Sequence, residues 1–500
     1  MTILVDNTRM PVLLRRIVII VPILALLAAG IVACAVNPVS GERELALLSE
    51  TDELRLGQDG HVDILNQYGE YGDTRLRAYV QQIGEQLAAH SHRPQLRYTF
   101  TILDTSDVNA FALPGGYIYI TRGILAYLNS EAELAAVLGH EIGHVTARHA
   151  VRQYSAALSA NIGITLSSIL VPELANRSAQ SLFGLIGNAL LSGYGREHEL
   201  EADHLGAVYL ARTGYNPRAM LDVITLLKNQ ESFEKERALE EGREPRAYHG
   251  VFATHPSADQ RLQQVVIQAE NDRSSTNGRV ERNSYLRRLD GLAYGDSEAQ
   301  GIRRGSDFYH RGLNFTVHFP DRWRLDNSPE KLLGLSASGD AVIQVQAAPR
   351  GKARTPQEYL VVQMKIHDLR NGLALTANGL SAYSGVTRMQ TPFGLRDTPV
   401  AVVFLKQQAF RFFGAAREDG PAFQRAFLDT VQSLRPLTAS QQPLARGMRV
   451  DVRTAKRGES FARLASRAPL KNEPAAVLRL LNGKYPDGEP TVGELIKTIH

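Results

Sequence analysis

Between Glu131 and His149 the apolar residues Leu134, Val137, Leu138, Ile142 and Val145 recur at three-to-four spacing. That is the period of a helix with one buried face. Ser130 is placed to cap its start, with Glu133 three residues on as the capping-box partner. Upstream, residues 42–92 carry helically spaced leucines and read as helical, while 96–103 alternate and read as a strand. Pro114-Gly115-Gly116 is a turn and Tyr117–Thr121 a second strand, whose free edge can take an extended peptide. Residues 155–192 are nearly free of charge and read as two helices with a turn, serving as lid, membrane-surface segment or plain core. A second amphipathic pattern opens at Gly195 and stops at Gly214-Tyr-Asn-Pro217; residues 229–248 read as a solvated helix or loop. Thr254-His255-Pro256 opens another helix, since proline suits the first helical position. From about 300 the pattern turns to strands (313–320, 341–347, 381–390, 398–406), with helices at 356–369 and 422–434. The class expected is α+β: a mainly helical domain at 34–285 with a small sheet, a small α+β domain at 300–437, and a short tail at 446–500.

The start of the chain changes the picture. Arg9, Arg15 and Arg16 precede the apolar run Ile17–Ile31, which has the length of a signal-peptide core and is short for a spanning helix. The run ends at Ile31-Val-Ala-Cys34, which resembles a bacterial lipobox; residues 1–33 would then be a signal peptide and Cys34 the acylated first residue. Ala35 after it resembles outer-membrane sorting, and the rest of the chain is expected in the cell envelope, facing the periplasm. Cys34 is the only cysteine, so no disulfide forms within one chain and a thiolate zinc site is excluded. A net charge of +4 over 500 residues, with no basic patch interleaved with aromatics, gives no reason to expect a nucleic-acid partner.

The first helix contains His140-Glu141-Ile-Gly-His144. Residues i and i+4 share a helix face, so both imidazoles can converge on one zinc ion. Glu141 lies about 100° round the helix, where a carboxylate reaches water at the open position without ligating the metal. The second helix offers Glu199 and Asp203, also at i and i+4. Glu199 suits the third ligand of a peptide-hydrolysing site, and Asp203 can hold His140 or His144 from behind or serve as a proton donor. Glu197 and Glu201 compete for the ligand role but lie two residues either side of Glu199, on other faces.

These motifs resemble the family of HtpX-, CAAX prenyl protease- and BepA-like zinc metallopeptidases. The likeness rests on His-Glu-x-x-His, on Glu199-Leu-Glu-Ala-Asp203 with Gly214-Tyr-Asn-Pro217, on Asn109–Ile120 and on Asn37-Pro-Val-Ser-Gly-Glu-Arg-Glu-Leu45. It implies a gluzincin-type peptidase domain with one zinc per chain, held by His140, His144 and Glu199, and Glu141 as general base. It implies misfolded or stalled envelope proteins as substrates and points toward the outer-membrane assembly machinery. It also implies that His255 can occupy the open zinc position and keep the enzyme latent; a hydrogen bond to the oxyanion, or no role, are the alternatives. The 300–437 unit is loosely similar to PsbP-like domains, and the tail resembles a LysM module, which would bind peptidoglycan. Two other functions stay open: a chaperone or outer-membrane assembly factor with weak proteolysis, and a peptidoglycan-associated hydrolase.

Overall fold

The structure is a computed structural model, and it describes residues 34–156, 195–241 and 278–500. The expected signal peptide, the uncharged segment 155–192 beyond Ala156, and His255 lie outside the described residues.

The described residues open with a hairpin, β1 (Cys34–Val36) against β2 (Arg43–Leu45). Two helices follow, α1 (Glu50–Tyr68) and α2 (Thr74–Ala88), where one helical stretch is read from sequence. Asp73 divides them, because its carboxylate accepts from the amides of Arg75 and Leu76 and so caps a fresh N-terminus. Strands β3 (Thr99–Leu103), β4 (Ala110–Leu113) and β5 (Tyr117–Thr121) form a sheet in the order β3-β5-β4. Strand β5 is therefore central, parallel to β3 and antiparallel to β4. The free edge expected on Tyr117–Thr121 does not exist: the Pro-Gly-Gly turn folds β4 back along it. Gly115 and Gly116 make that turn with φ of 80° and 91°, a region closed to most side chains.

Helix α3 (Arg122–Tyr127) leads into α4 (Glu131–Thr146), which carries His-Glu-x-x-His. Ser130 caps α4 as expected, its hydroxyl accepting from the Glu133 amide. Glu133 reaches back to the amide of Asn129, one residue before the cap, at 2.7 Å. Helix α5 (Arg196–Arg212) packs on α4, and α6 (Ala219–Glu240) follows. The first part of the charged run, read from sequence as helix or loop, is helix and belongs to α6.

After α7 (Arg282–Arg288), strand β6 (Ala293–Tyr294) pairs with β18 (Met448–Thr454) in the tail, and β18 pairs with β19 (Leu495–Ile499). Between β18 and β19 lie α9 (Phe461–Ala465) and α10 (Pro474–Leu481). This tail is not detached. Phe461, Leu478, Leu481 and Ile496 are buried in the same core as Leu125, Leu134 and Leu138. Lys497, buried in that interface, donates to the carbonyls of Ala126 and Leu128 at 2.7 Å each.

The intervening residues build a seven-stranded antiparallel sheet, ordered β10 (Arg324–Asn327), β11 (Leu332–Leu335), β12 (Ala341–Pro349), β16 (Gln408–Ala416), β15 (Gly394–Leu405), β14 (Leu380–Thr391) and β13 (Arg370–Ala377), and a smaller four-stranded one. Along β15, Val400 and Val402 face one core while Ala401 and Val403 face another. Helix α8 (Pro421–Ser433) covers the second face with Phe427 and Val431. The helix expected at 356–369 is shorter, a helical turn at Pro356–Glu358 running into a π-type turn at Tyr359–Gln363. Pro356 starts it on the Thr355 cap, and the backbone is strand again from Arg370. No helix of the described residues is long and apolar enough to cross a membrane.

Candidate metal centre

Helices α4 and α5 approach closely because small residues face each other. A Cβ built on Gly143 would stand 3.0 Å from the Ala202 carbonyl oxygen, and one on Gly139 3.3 Å from Gly206 Cα. That contact brings Glu199 over the two histidines.

His140, His144 and Glu199 are all buried, and a ligand atom from each can meet at one point. The Nε2 atoms of His140 and His144 are 3.0 Å apart. His140 Nε2 lies 3.7 Å from Glu199 Oε2, and His144 Nε2 3.5 Å from Glu199 Oε1. Tetrahedral ligands at ~2.0–2.1 Å from one zinc stand about 3.3 Å from each other. The donor triangle therefore fits zinc in size, and its two imidazoles and one carboxylate fit zinc in kind. Three protein ligands leave a fourth position for water or substrate.

Asp203 Oδ1 is 2.9 Å from His140 Nδ1, so of the two histidines open to it from sequence it takes His140. The Nδ1–H then points to the carboxylate, which frees Nε2 for a metal. Glu141 is buried at 2% exposure, on the same helix as both histidines. The competing carboxylates point elsewhere: Glu197 is exposed, and Glu201 accepts from His149 Nε2 and from Arg152 at 3.0 and 2.8 Å. Burial pushes Glu201 up, yet the hydrogen bonds from His149 and Arg152 prevail and hold it down at about 2. His198, stacked on His149 with centroids 4.3 Å apart, is pushed down to about 4 by burial and by the charges of His149 and Arg152.

The C-terminal end of α4 is held by a buried ion cluster that sequence reasoning missed. Arg93 donates to Glu53 at 2.8 Å and to the Val145 carbonyl at 3.3 Å, and Arg148 donates to Glu53 at 2.9 Å. Isolated Arg and Glu residues far apart in sequence carry no periodic signal. His149 was also missed as a partner of the site. Its spacing from His144 is visible, but its place depends on how the chain turns after Thr146.

The buried triangle of two helical histidines and a glutamate from a neighbouring helix could hold a metal ion. In agreement, residues 74–268 match the family model of peptidase family M48. The chain is 28% identical over 235 residues to the mitochondrial metalloendopeptidase OMA1 of Schizosaccharomyces pombe, covering 46% of this chain and 64% of that one. It is 32% identical over 166 residues to a putative beta-barrel assembly-enhancing protease of Vibrio cholerae, covering 32% and 34%. It is 29% identical over 180 residues to the metalloprotease LoiP of Escherichia coli, covering 36% and 64%. The chain thus spans from 34% to 64% of the length of these relatives.

Proposed function

We propose that this protein is a zinc-dependent endopeptidase that hydrolyses peptide bonds of misfolded or stalled proteins in the cell envelope. The observation that carries the reading is the buried His140–His144–Glu199 triangle with edges of 3.0–3.7 Å. Zinc held there supplies Lewis acidity toward water and the scissile carbonyl. Glu141 takes the proton from the attacking water and later passes it to the leaving amine. Asp203 keeps His140 in the ligating tautomer. Strand β4, at the end of its sheet and packed against α4, offers an edge along which an extended substrate backbone can lie. The test is incubation of the zinc-loaded protein with an unfolded outer-membrane protein. Cleavage by wild type and none by Glu141→Gln supports the reading; equal cleavage by both sinks it.

The rest of the reading rests on sequence. Cys34 is the lipidation site that anchors the protein to the outer membrane. His255 is the ligand that closes the fourth position and makes the enzyme latent. The tail is LysM-like and meets peptidoglycan. The envelope substrates draw support from the relative named as a putative beta-barrel assembly-enhancing protease.

A further inference from the structure

His149 follows α4 and is fully buried, with its ring beside His144. Its Nδ1 is 2.8 Å from His144 Nδ1, and its Nε2 is 3.0 Å from Glu201 Oε2. Glu201 Oε2 also accepts from Arg152 Nη1 at 2.8 Å. Arg152 Nε lies 3.2 Å from Glu44 Oε2, and Glu44 Oε1 accepts from Asn37 Nδ2 at 2.9 Å. The contacts form one chain, from a metal-site histidine to the β1–β2 hairpin.

The chain has a single polarity. His144 turns Nε2 toward His140 and Glu199, so that nitrogen needs its lone pair for a metal and the ring proton sits on Nδ1. Nδ1–H then donates to His149 Nδ1, which must be bare, and the His149 proton sits on Nε2 and donates to Glu201. A carboxylate accepts only, so Glu201 takes both this proton and the Arg152 N–H. His140 is held by a carboxylate from α5, Asp203. His144 is held instead by a second imidazole, from beyond the end of its own helix.

We propose that His149 is a positioning residue that fixes the tautomer and aim of His144, and that Glu201, Arg152 and the hairpin residue Glu44 hold His149 in turn. The proposal rests on the zinc reading of the site. It also accounts for the Asn37–Glu44 segment, because the hairpin closes the outer end of a relay to the metal. Outer-shell partners of this kind alter metal affinity by about 10–100-fold when removed.

The test measures the zinc dissociation constant of the full chain by chelator competition, and the melting temperature of the metal-free protein, for wild type, His149→Phe, Glu201→Ala and Glu44→Ala. The expected result is zinc binding weakened about 10–100-fold in His149→Phe, about tenfold in Glu201→Ala and less in Glu44→Ala. The double variant His149→Phe/Glu201→Ala is expected to lose no more than His149→Phe alone, because both act through one chain. A merely structural role lowers the metal-free melting temperature and leaves zinc affinity unchanged, which overturns the proposal. Additive losses in the double variant overturn it too. Should His149→Phe fail to fold, Glu201→Ala decides alone: wild-type zinc affinity there ends the idea. A wild-type protein that binds no zinc instead removes the metal-centre reading beneath it.

Discussion

Glu141 and Glu199 are both buried glutamates near the same histidines, and the proposed mechanism gives them different roles. Glu199 sits 3.5–3.7 Å from the two Nε2 atoms and is placed to ligate. Glu141 shares the histidines' helix and is the residue proposed to move the proton. Glu199→Ala is therefore expected to lose zinc by metal analysis, while Glu141→Gln keeps it and loses cleavage. Full zinc in Glu199→Ala together with loss in Glu201→Ala would reverse the assignment. His255→Ala is expected to raise cleavage of unfolded protein, and of the enzyme itself, if His255 blocks the open position. An unchanged or lower rate at normal zinc content ends the latch idea. Glu201 carries a pH prediction for the metal-free protein. Its carboxyl is held at about 2 against an unfolded value of 4.5. A depressed acid contributes stability that is present above 4.5 and is lost as pH falls toward 2. The melting temperature should fall across that window, and fall less steeply in Glu201→Gln.

At the scale of elements, the site depends on how close α4 and α5 come. Gly143 faces the backbone of Ala202, whose carbonyl oxygen an added Cβ would meet at only 3.0 Å. Backbone gives way less readily than a flexible side chain, so Gly143→Ala should push the helices apart. Overpacking of this kind costs about 1–3 kcal/mol. Urea unfolding of the metal-free protein measures that cost, and a chelator titration measures the accompanying loss of zinc. Unchanged values of both would mean that the helices adjust freely. The same scale shows why strand order escaped the sequence. From sequence only Tyr117–Thr121 reads as a strand here, and alternation gives a strand its faces but not its neighbours. The Pro-Gly-Gly turn, seen as a turn from sequence, decides the matter by returning β4 along β5.

At the scale of the whole molecule, the tail belongs to the core that carries the site. Phe461, Leu478, Leu481 and Ile496 are buried there. Burying four such side chains is worth about 6–12 kcal/mol, comparable with a domain's net stability of about 5–15 kcal/mol. Lys497 adds a polar lock. Burial drives its ammonium well below the ordinary lysine range, opposed by Glu133, whose own carboxyl burial raises to about 7. A chain ending at Ala445 is expected to be insoluble or to melt far lower, and to lose zinc with its fold. Lys497→Met leaves two buried carbonyls unpaired and Glu133 without its cation, so a loss of about 3–5 kcal/mol is expected by urea unfolding. A truncated chain that stays folded and zinc-bound would show instead that the tail is an appended module.

What the sequence determined by itself is the local chemistry. Helical spacing sets His140 and His144 on one face whatever surrounds them, and sets Glu199 and Asp203 on another, because a period of 3.6 residues is a property of the backbone. The serine cap, the helix stop at Gly214 and the alternating strands of the second half follow from the same short-range rules. The tertiary structure alone decided what meets across long distances. It chose His140 for Asp203, Glu201 for His149 and Arg152, Arg93 for the end of the metal helix, and the C-terminal tail for the peptidase core. Those choices depend on packing between segments up to hundreds of residues apart, such as Lys497 and Ala126. A one-dimensional pattern records which face of each segment is apolar, but not which other segment will cover it.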